Sequence, residues 1–221
     1  LSSKPSLIIK KPKIEDPILL IITTQRTGST LLCSDLMQAC KLNYKPRETF
    51  LESLGSFFNN YPSIDEIKLQ QEIQKSLINP KKGPIYIHKI MIDYIGWLGF
   101  LLAPQQFVKK ASYCDLCIWF IKYIYSFSDI NFPIIFLDRS DKISQGTSKF
   151  INSMGAPTHI KNDSEKEKID SFIDSKIHNV LTPEALILEQ MAQIIKQNFM
   201  LDSIQKDLSK EYSTVNLNYE N

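Results

Sequence analysis

Short apolar runs alternate with amphipathic stretches along the chain. Residues 17–22, Pro-Ile-Leu-Leu-Ile-Ile, have no polar position, the pattern of a parallel strand buried on both faces. Leu32, Leu36 and Ala39 then recur at helical spacing, which predicts a helix from Ser29 to about Lys41. Ser63 followed three residues later by Glu66 has the form of a capping box and opens an amphipathic helix reaching Leu77. After a turn over 79–83, residues 84–90 read as a second strand, with helices over 94–102 and 112–127 behind it. Residues 133–137 read as a third strand, followed at once by a helix over 141–153. Thr182 as N-cap and Pro183 at the first helical position open a long helix that carries Ile187, Met191, Ile194 and Phe199 toward a core. Val215 and Leu217 mark a final short strand.

Strands alternating with helices predict an α/β fold, a parallel β-sheet flanked by helices. Residues 1–16 read as a polar N-terminal arm and 17–221 as one domain, a size suited to a single core. Because 213–219 reads as an extended segment with no closing helix after it, the domain is expected to be truncated at its C-terminus. The charged stretch 162–174 reads as a surface connection or lid.

Composition narrows the function classes. A formal net charge of +2 supplies no field of the kind that holds a polyanion, so nucleic acid is not an expected partner. The longest apolar runs, 94–103 and 116–127, are short or interrupted by Lys122, whereas a spanning helix needs about 20 apolar residues. No transmembrane segment is expected. The cysteines at 33, 40, 114 and 117 do not build a disulfide framework at this length, which points to a reducing, cytoplasmic setting. A first residue of leucine rather than methionine leaves room for a removed targeting peptide. Cys114 and Cys117 lie in an aromatic, apolar run without a second pair to complete a zinc site, and read as core. No His, Cys and carboxylate cluster has metal-ligand spacing, so a metal-independent chemistry is expected.

Only three of the 26 cations are arginines, Arg26, Arg47 and Arg139, and each lies in a candidate motif. Arginine supplies a planar fork of donors for phosphate or carboxylate where lysine supplies a point charge. Residues 23–32, Thr-Thr-Gln-Arg-Thr-Gly-Ser-Thr-Leu-Leu, leave the first strand and enter a helix, the setting in which unpaired backbone N–H groups and the helix dipole converge on an anion. Gly28 allows close approach or positive φ; Thr27, Ser29 and Thr30 offer hydroxyls; Arg26 offers a bidentate cation. The ATP-type loop needs a second glycine and a lysine followed by Ser or Thr, and both are missing here. Spacing alone leaves open a plain strand-to-helix turn rich in capping residues.

Residues 25–32, Gln-Arg-Thr-Gly-Ser-Thr-Leu-Leu, resemble the donor-binding loop of sulfotransferases, specifically the bacterial trehalose 2-sulfotransferase-like family that uses 3′-phosphoadenosine 5′-phosphosulfate (PAPS). The resemblance extends through Pro46-Arg-Glu-Thr-Phe50, Lys89-Ile-Met91, the segment 136–148 and the helix beginning at Thr182. It implies a P-loop-like sulfotransferase fold and PAPS as sulfuryl donor, held by Arg26, Thr27, Gly28, Ser29 and Thr30 at one end. Arg139 and Ser148, with Ser144 less directly, would hold the 3′-phosphate. Glu48 would be the general base and Arg26 the stabiliser of the leaving phosphate, with Arg47 positioning Glu48 or the acceptor and Lys89 lining the site. The acceptor would be the hydroxyl of a carbohydrate or similar small molecule. Asp138 departs from the family pattern by placing an anion next to Arg139. Among the histidines, His88 in the second strand reads as a core residue, and His159 and His178 lie in the variable polar region. Two other functions stay open on the residues: a P-loop kinase or nucleoside-triphosphatase, and a nucleotide-binding module without turnover.

Overall fold

A computed structural model of the chain describes residues 17–46, 48–51, 55, 65–77, 85–127, 130, 133–155, 167, 171 and 183–220. The arm 1–16, Arg47, the Ser63 cap, the turn 79–83, His159, His178, Thr182 and nearly all of 162–174 lie outside the described residues.

The sheet has four strands, all parallel, in the order β2-β1-β3-β4, with β1 at Ile18–Thr23, β2 at Tyr86–Met91, β3 at Ile134–Asp138 and β4 at Thr214–Asn218. All six residues of β1 are buried, as its unbroken apolar run requires of a central strand. Alternation sorts its side chains onto two faces. Ile18, Leu20 and Ile22 join the larger core, while Leu19 and Ile21 join a smaller one. The smaller core is closed by α1, Ser29–Ala39, through Leu32, Cys33 and Leu36.

Four helices cover the larger face: α2 at Glu66–Leu77, α3 at Ile92–Leu102, α5 at Tyr113–Tyr125 and α7 at Pro183–Leu208. A short α4, Gln105–Val108, links α3 to α5, and α6, Lys142–Ser153, packs on α7. Where the sequence pattern points to Ser63 as the cap of α2, it is Asp65 whose Oδ1 accepts from the amides of Ile67 and Lys68, both at 3.1 Å. Helix α5 starts at a capping box in which the Ser112 hydroxyl accepts from the Asp115 amide and the Asp115 carboxylate accepts from the Ser112 amide. Cys117 is fully buried, Cys114 half-buried, and both are free thiols.

Helix α7 departs from expectation at one position. Ile194 is buried, but Phe199 is 71 % exposed. Five residues advance a helix by about 500°, so Phe199 falls off the face of Ile194. That face carries Gln197, Asn198, Leu201, Ile204 and Leu208 instead. Among the described residues no helix is long and apolar enough to cross a membrane.

Helices α3 and α5 pack closely, and a methyl on Gly99 would overlap the carbonyl oxygen of Leu116. Backbone cannot yield as a side chain does, so Gly99→Ala should lower the unfolding free energy by about 1–3 kcal/mol. The urea midpoint reads this directly; a wild-type midpoint would mean that the two helices are not held at this distance.

Candidate functional site

The loop between β1 and α1 is built from the end of a buried strand. Thr23 is buried, its hydroxyl 3.3 Å from the Leu137 carbonyl of β3 and hydrogen-bonded to the Thr27 hydroxyl. Thr27 in turn donates to the Thr24 carbonyl at 3.2 Å. The Thr27 hydroxyl is therefore turned into the loop, where it fixes the backbone, rather than out of it. Arg26 and Gly28 both have positive φ, 62° and 81°, a conformation easy for glycine and strained for arginine. Non-glycine residues in this region cluster at functional sites because the surroundings must hold them there.

Gly28 is the N-cap of α1 and offers no side-chain cap, and the first turn holds no acidic residue. The first amides of a helix lack intrahelical partners, so Ser29 and Thr30 stand at a positive helix end with no anionic side chain of the first turn beside it. Ser29 is buried and Thr30 half-exposed.

Helix α6 closes on this loop from the β3 side. Arg26 donates through Nε to the Ser148 hydroxyl at 2.7 Å. Gln145, fully buried, donates through Nε2 to the Thr24 hydroxyl at 3.0 Å and to the Gln25 carbonyl. Arg139, just past β3, directs Nη1 toward the Arg26 carbonyl at 3.5 Å. Burial first, and then the Arg139 charge, holds the Arg26 guanidinium below its usual pKa. The structure thus brings Arg26, Arg139 and Ser148 to one edge of the sheet, beside Gly28 and the start of α1.

Two residues beyond β4 complete this edge. The Tyr219 ring lies against Gly28, where a Cβ would fall inside it, and under the Arg139 guanidinium at 5.2 Å from the ring centre. The Glu220 carboxylate accepts from Arg139 Nε at 3.2 Å and from the amides of Ser140 at 2.8 Å and Asp141 at 3.3 Å. Glu220 therefore sits on part of the donor set that the sequence reading gives to a phosphate. Ser144 gives its amide to the Asp141 cap at 2.9 Å. Asp138 pairs with Lys142 at 2.6 Å, so its charge is compensated locally.

Glu48 lies on the other side of β2. It forms an isolated parallel bridge with Lys89, and the next amide, Thr49, donates to the Lys89 carbonyl at 3.1 Å. Phe50 pins this segment by entering the core edge-on to Phe120, with ring centres 5.6 Å apart. Burial raises the Glu48 pKa, and the buried Lys89 opposes the rise. His88 is buried, with Nδ1 at 3.2 Å from the Thr49 hydroxyl, which suits a packing role. Among the described residues no group of three His, Cys, Asp or Glu could hold a metal ion.

Gln145, Tyr219 and Glu220 were not legible as site residues from the motifs. A positional signal exists for the last two: residues directly after a parallel strand fall on the edge where α/β sheets bind ligands.

Since the folded state keeps the Glu48 proton to higher pH than the unfolded chain does, it binds more protons through that interval. The unfolding free energy therefore falls as pH rises from the ordinary glutamate pKa to the raised one, and the stabilisation is complete only below it. Glu48→Gln should flatten this fall at pH values above the ordinary glutamate pKa, as read by urea unfolding at each pH; equal slopes in the two proteins would show that Glu48 ionises as freely as in water. No protein-family model matches the chain, and no curated protein matches it.

Proposed function

We propose that this chain is a sulfotransferase with a P-loop-like sulfotransferase fold, moving the sulfuryl group of 3′-phosphoadenosine 5′-phosphosulfate to a hydroxyl of a carbohydrate or similar small acceptor. One observation carries the reading: the loop after β1, with positive φ at Arg26 and Gly28 and an uncapped α1, is tied through Arg26 to Ser148 and flanked by Arg139. Two cations held side by side favour an anion with more than one charge.

On this reading the amides of residues 28–30 and Arg26 take the 5′-phosphosulfate, and Arg139 and Ser148 take the 3′-phosphate. A guanidinium has five N–H donors, so Arg139 has capacity beyond its bonds to Glu220 and the Arg26 carbonyl. Glu48 accepts the proton of the acceptor hydroxyl, whose oxygen forms the new S–O bond. The bond between sulfur and the bridging phosphate oxygen breaks, and 3′-phosphoadenosine 5′-phosphate leaves with the electron pair. Arg26 and the loop amides stabilise the charge that develops on that oxygen. A base is most effective when its pKa approaches the working pH, and burial moves Glu48 in that direction.

Thermal unfolding with 3′-phosphoadenosine 5′-phosphate, ATP or GTP tests the donor. Ligand at a hundredfold its dissociation constant adds about 2.7 kcal/mol, and Arg26→Ala or Arg139→Ala should each weaken binding by about 1.5–3 kcal/mol. Stabilisation by ATP with magnesium and none by the bisphosphate would replace this reading with a kinase or triphosphatase. Bisphosphate binding without sulfated product over a broad hydroxyl panel would leave a binding module.

A further inference from the structure

Gln145 has no part in the chemistry above, and its setting is unusual for a glutamine. It is fully buried, whereas most glutamines are exposed. Its side chain reaches out of α6 to the loop after β1, where Nε2 donates to the Thr24 hydroxyl at 3.0 Å and to the Gln25 carbonyl. A carbonyl only accepts, so the amide nitrogen is the atom turned to the loop and the oxygen is the atom turned away. That oxygen, Oε1, is buried without a hydrogen-bond partner. An orphaned buried acceptor is destabilising, and an apolar side chain of similar size would fill the space without it. Packing alone therefore does not account for the amide; what it adds is the pair of donated bonds.

The bond to Gln25 bears on the backbone of Arg26. The Gln25 carbonyl and the Arg26 nitrogen belong to one planar peptide group, so holding the carbonyl fixes the plane from which the Arg26 φ is measured. That φ is 62°, in the left-handed region that a residue with a side chain occupies only where its surroundings impose it. Return to the ordinary right-handed region would turn φ by about 120°, and the Cα–Cβ bond would turn with it, carrying the guanidinium away from Ser148. The neighbouring carbonyls are engaged by other groups: that of Thr24 accepts from the Thr27 hydroxyl, and that of Arg26 faces Arg139 Nη1. Gln145 and Ser148 are three residues apart and so share a face of α6. One holds the backbone before Arg26, and the other accepts from its Nε at 2.7 Å. The helix that carries both is itself seated on α7, since a Cβ on Gly146 would overlap the Met191 side chain.

We propose that Gln145 is the positioning residue of the anion loop: by holding the Gln25 carbonyl it keeps Arg26 left-handed and its guanidinium against Ser148, where the charge meets the phosphates. The phosphate role rests on the sulfotransferase reading; the hold on Arg26 does not.

The test follows exchange of the Arg26 Nε–H with solvent by heteronuclear NMR in the ligand-free full chain, the signal being assigned by its loss in Arg26→Lys. In Gln145→Met, which removes the donated bonds and the orphan together, this exchange should rise by about tenfold or more relative to wild type, while that of Arg139, held by Glu220, stays within about twofold. Calorimetric affinity for 3′-phosphoadenosine 5′-phosphate should fall by about tenfold or more in the same variant, yet by less than about twofold when Arg26 is already replaced by alanine, because a residue acting through Arg26 then has nothing left to position. A merely structural role would lower both affinities alike. Gln145→Glu, of the same shape, is the second variant should the first not fold. Its acid donates to the Gln25 carbonyl while protonated and cannot once ionised, so protection of Arg26 relative to wild type should be lost as the carboxyl titrates with rising pH. Arg26 exchange that stays at the wild-type level in a folded variant, an unchanged bisphosphate affinity, or an affinity loss that persists in the alanine background overturns the proposal and leaves Gln145 a packing residue. If the bisphosphate fails to bind the wild-type chain, the sulfotransferase reading falls, and the Arg26 exchange decides the role of Gln145 by itself.

Discussion

Two guanidinium groups at the tips of adjacent strands repel each other, and the local structure is arranged around that constraint. Arg26 is strained in a left-handed conformation, partly buried, and close enough to Arg139 for the second charge to lower its pKa. Such a pair persists only if anions or acceptors surround it. The chain supplies the Ser148 hydroxyl, the Arg26 carbonyl and the Glu220 carboxylate. The first two are neutral, and Glu220 is an exposed residue beyond the last strand. The juxtaposition of the two cations favours a multiply charged ligand, and from it follow the role of α6 as a clasp on the loop and the position of Tyr219 beneath Arg139.

The sheet performs the positioning. Register places Thr23 of β1 beside Met91 of β2 and Leu137 of β3, so the loop of Arg26, the α3 start with Asp93 and the segment of Arg139 all emerge from one edge. Glu48 is held against the outer side of β2 by its bridge to Lys89 and by the burial of Phe50. Glu48, the loop of Arg26 and the segment of Arg139 are thus carried by separate elements whose spacing is set by one parallel ladder.

Much of this was legible before any coordinates. The unbroken apolar run of β1, the glycine at the strand-to-helix turn and the strand before Arg139 each carry a local signal that survives packing. What stayed hidden depends on distance along the chain: Arg26 meets Ser148 across 122 residues and Gln145 meets Thr24 across 121, and no spacing rule encodes such pairs. The bond from Arg26 to Ser148 joins two residues singled out by family resemblance, whereas Gln145 read only as a polar helical position. Phe199 was given to the core because it is large and apolar, yet helical phase puts it in solvent and puts two amides inwards. Glu220 carries no motif of its own in the sequence, although it is the residue that engages Arg139.

The central claim is that two anion pockets at neighbouring strand tips grip the two ends of one adenosine bisphosphate. Calorimetric titration of 3′-phosphoadenosine 5′-phosphate beside adenosine 5′-phosphate and adenosine 3′-phosphate tests it most directly. Both monophosphates should bind at least tenfold more weakly than the bisphosphate, each for the loss of a different pocket. A monophosphate that binds as tightly as the bisphosphate would contradict it, because one pocket alone would then account for all the affinity.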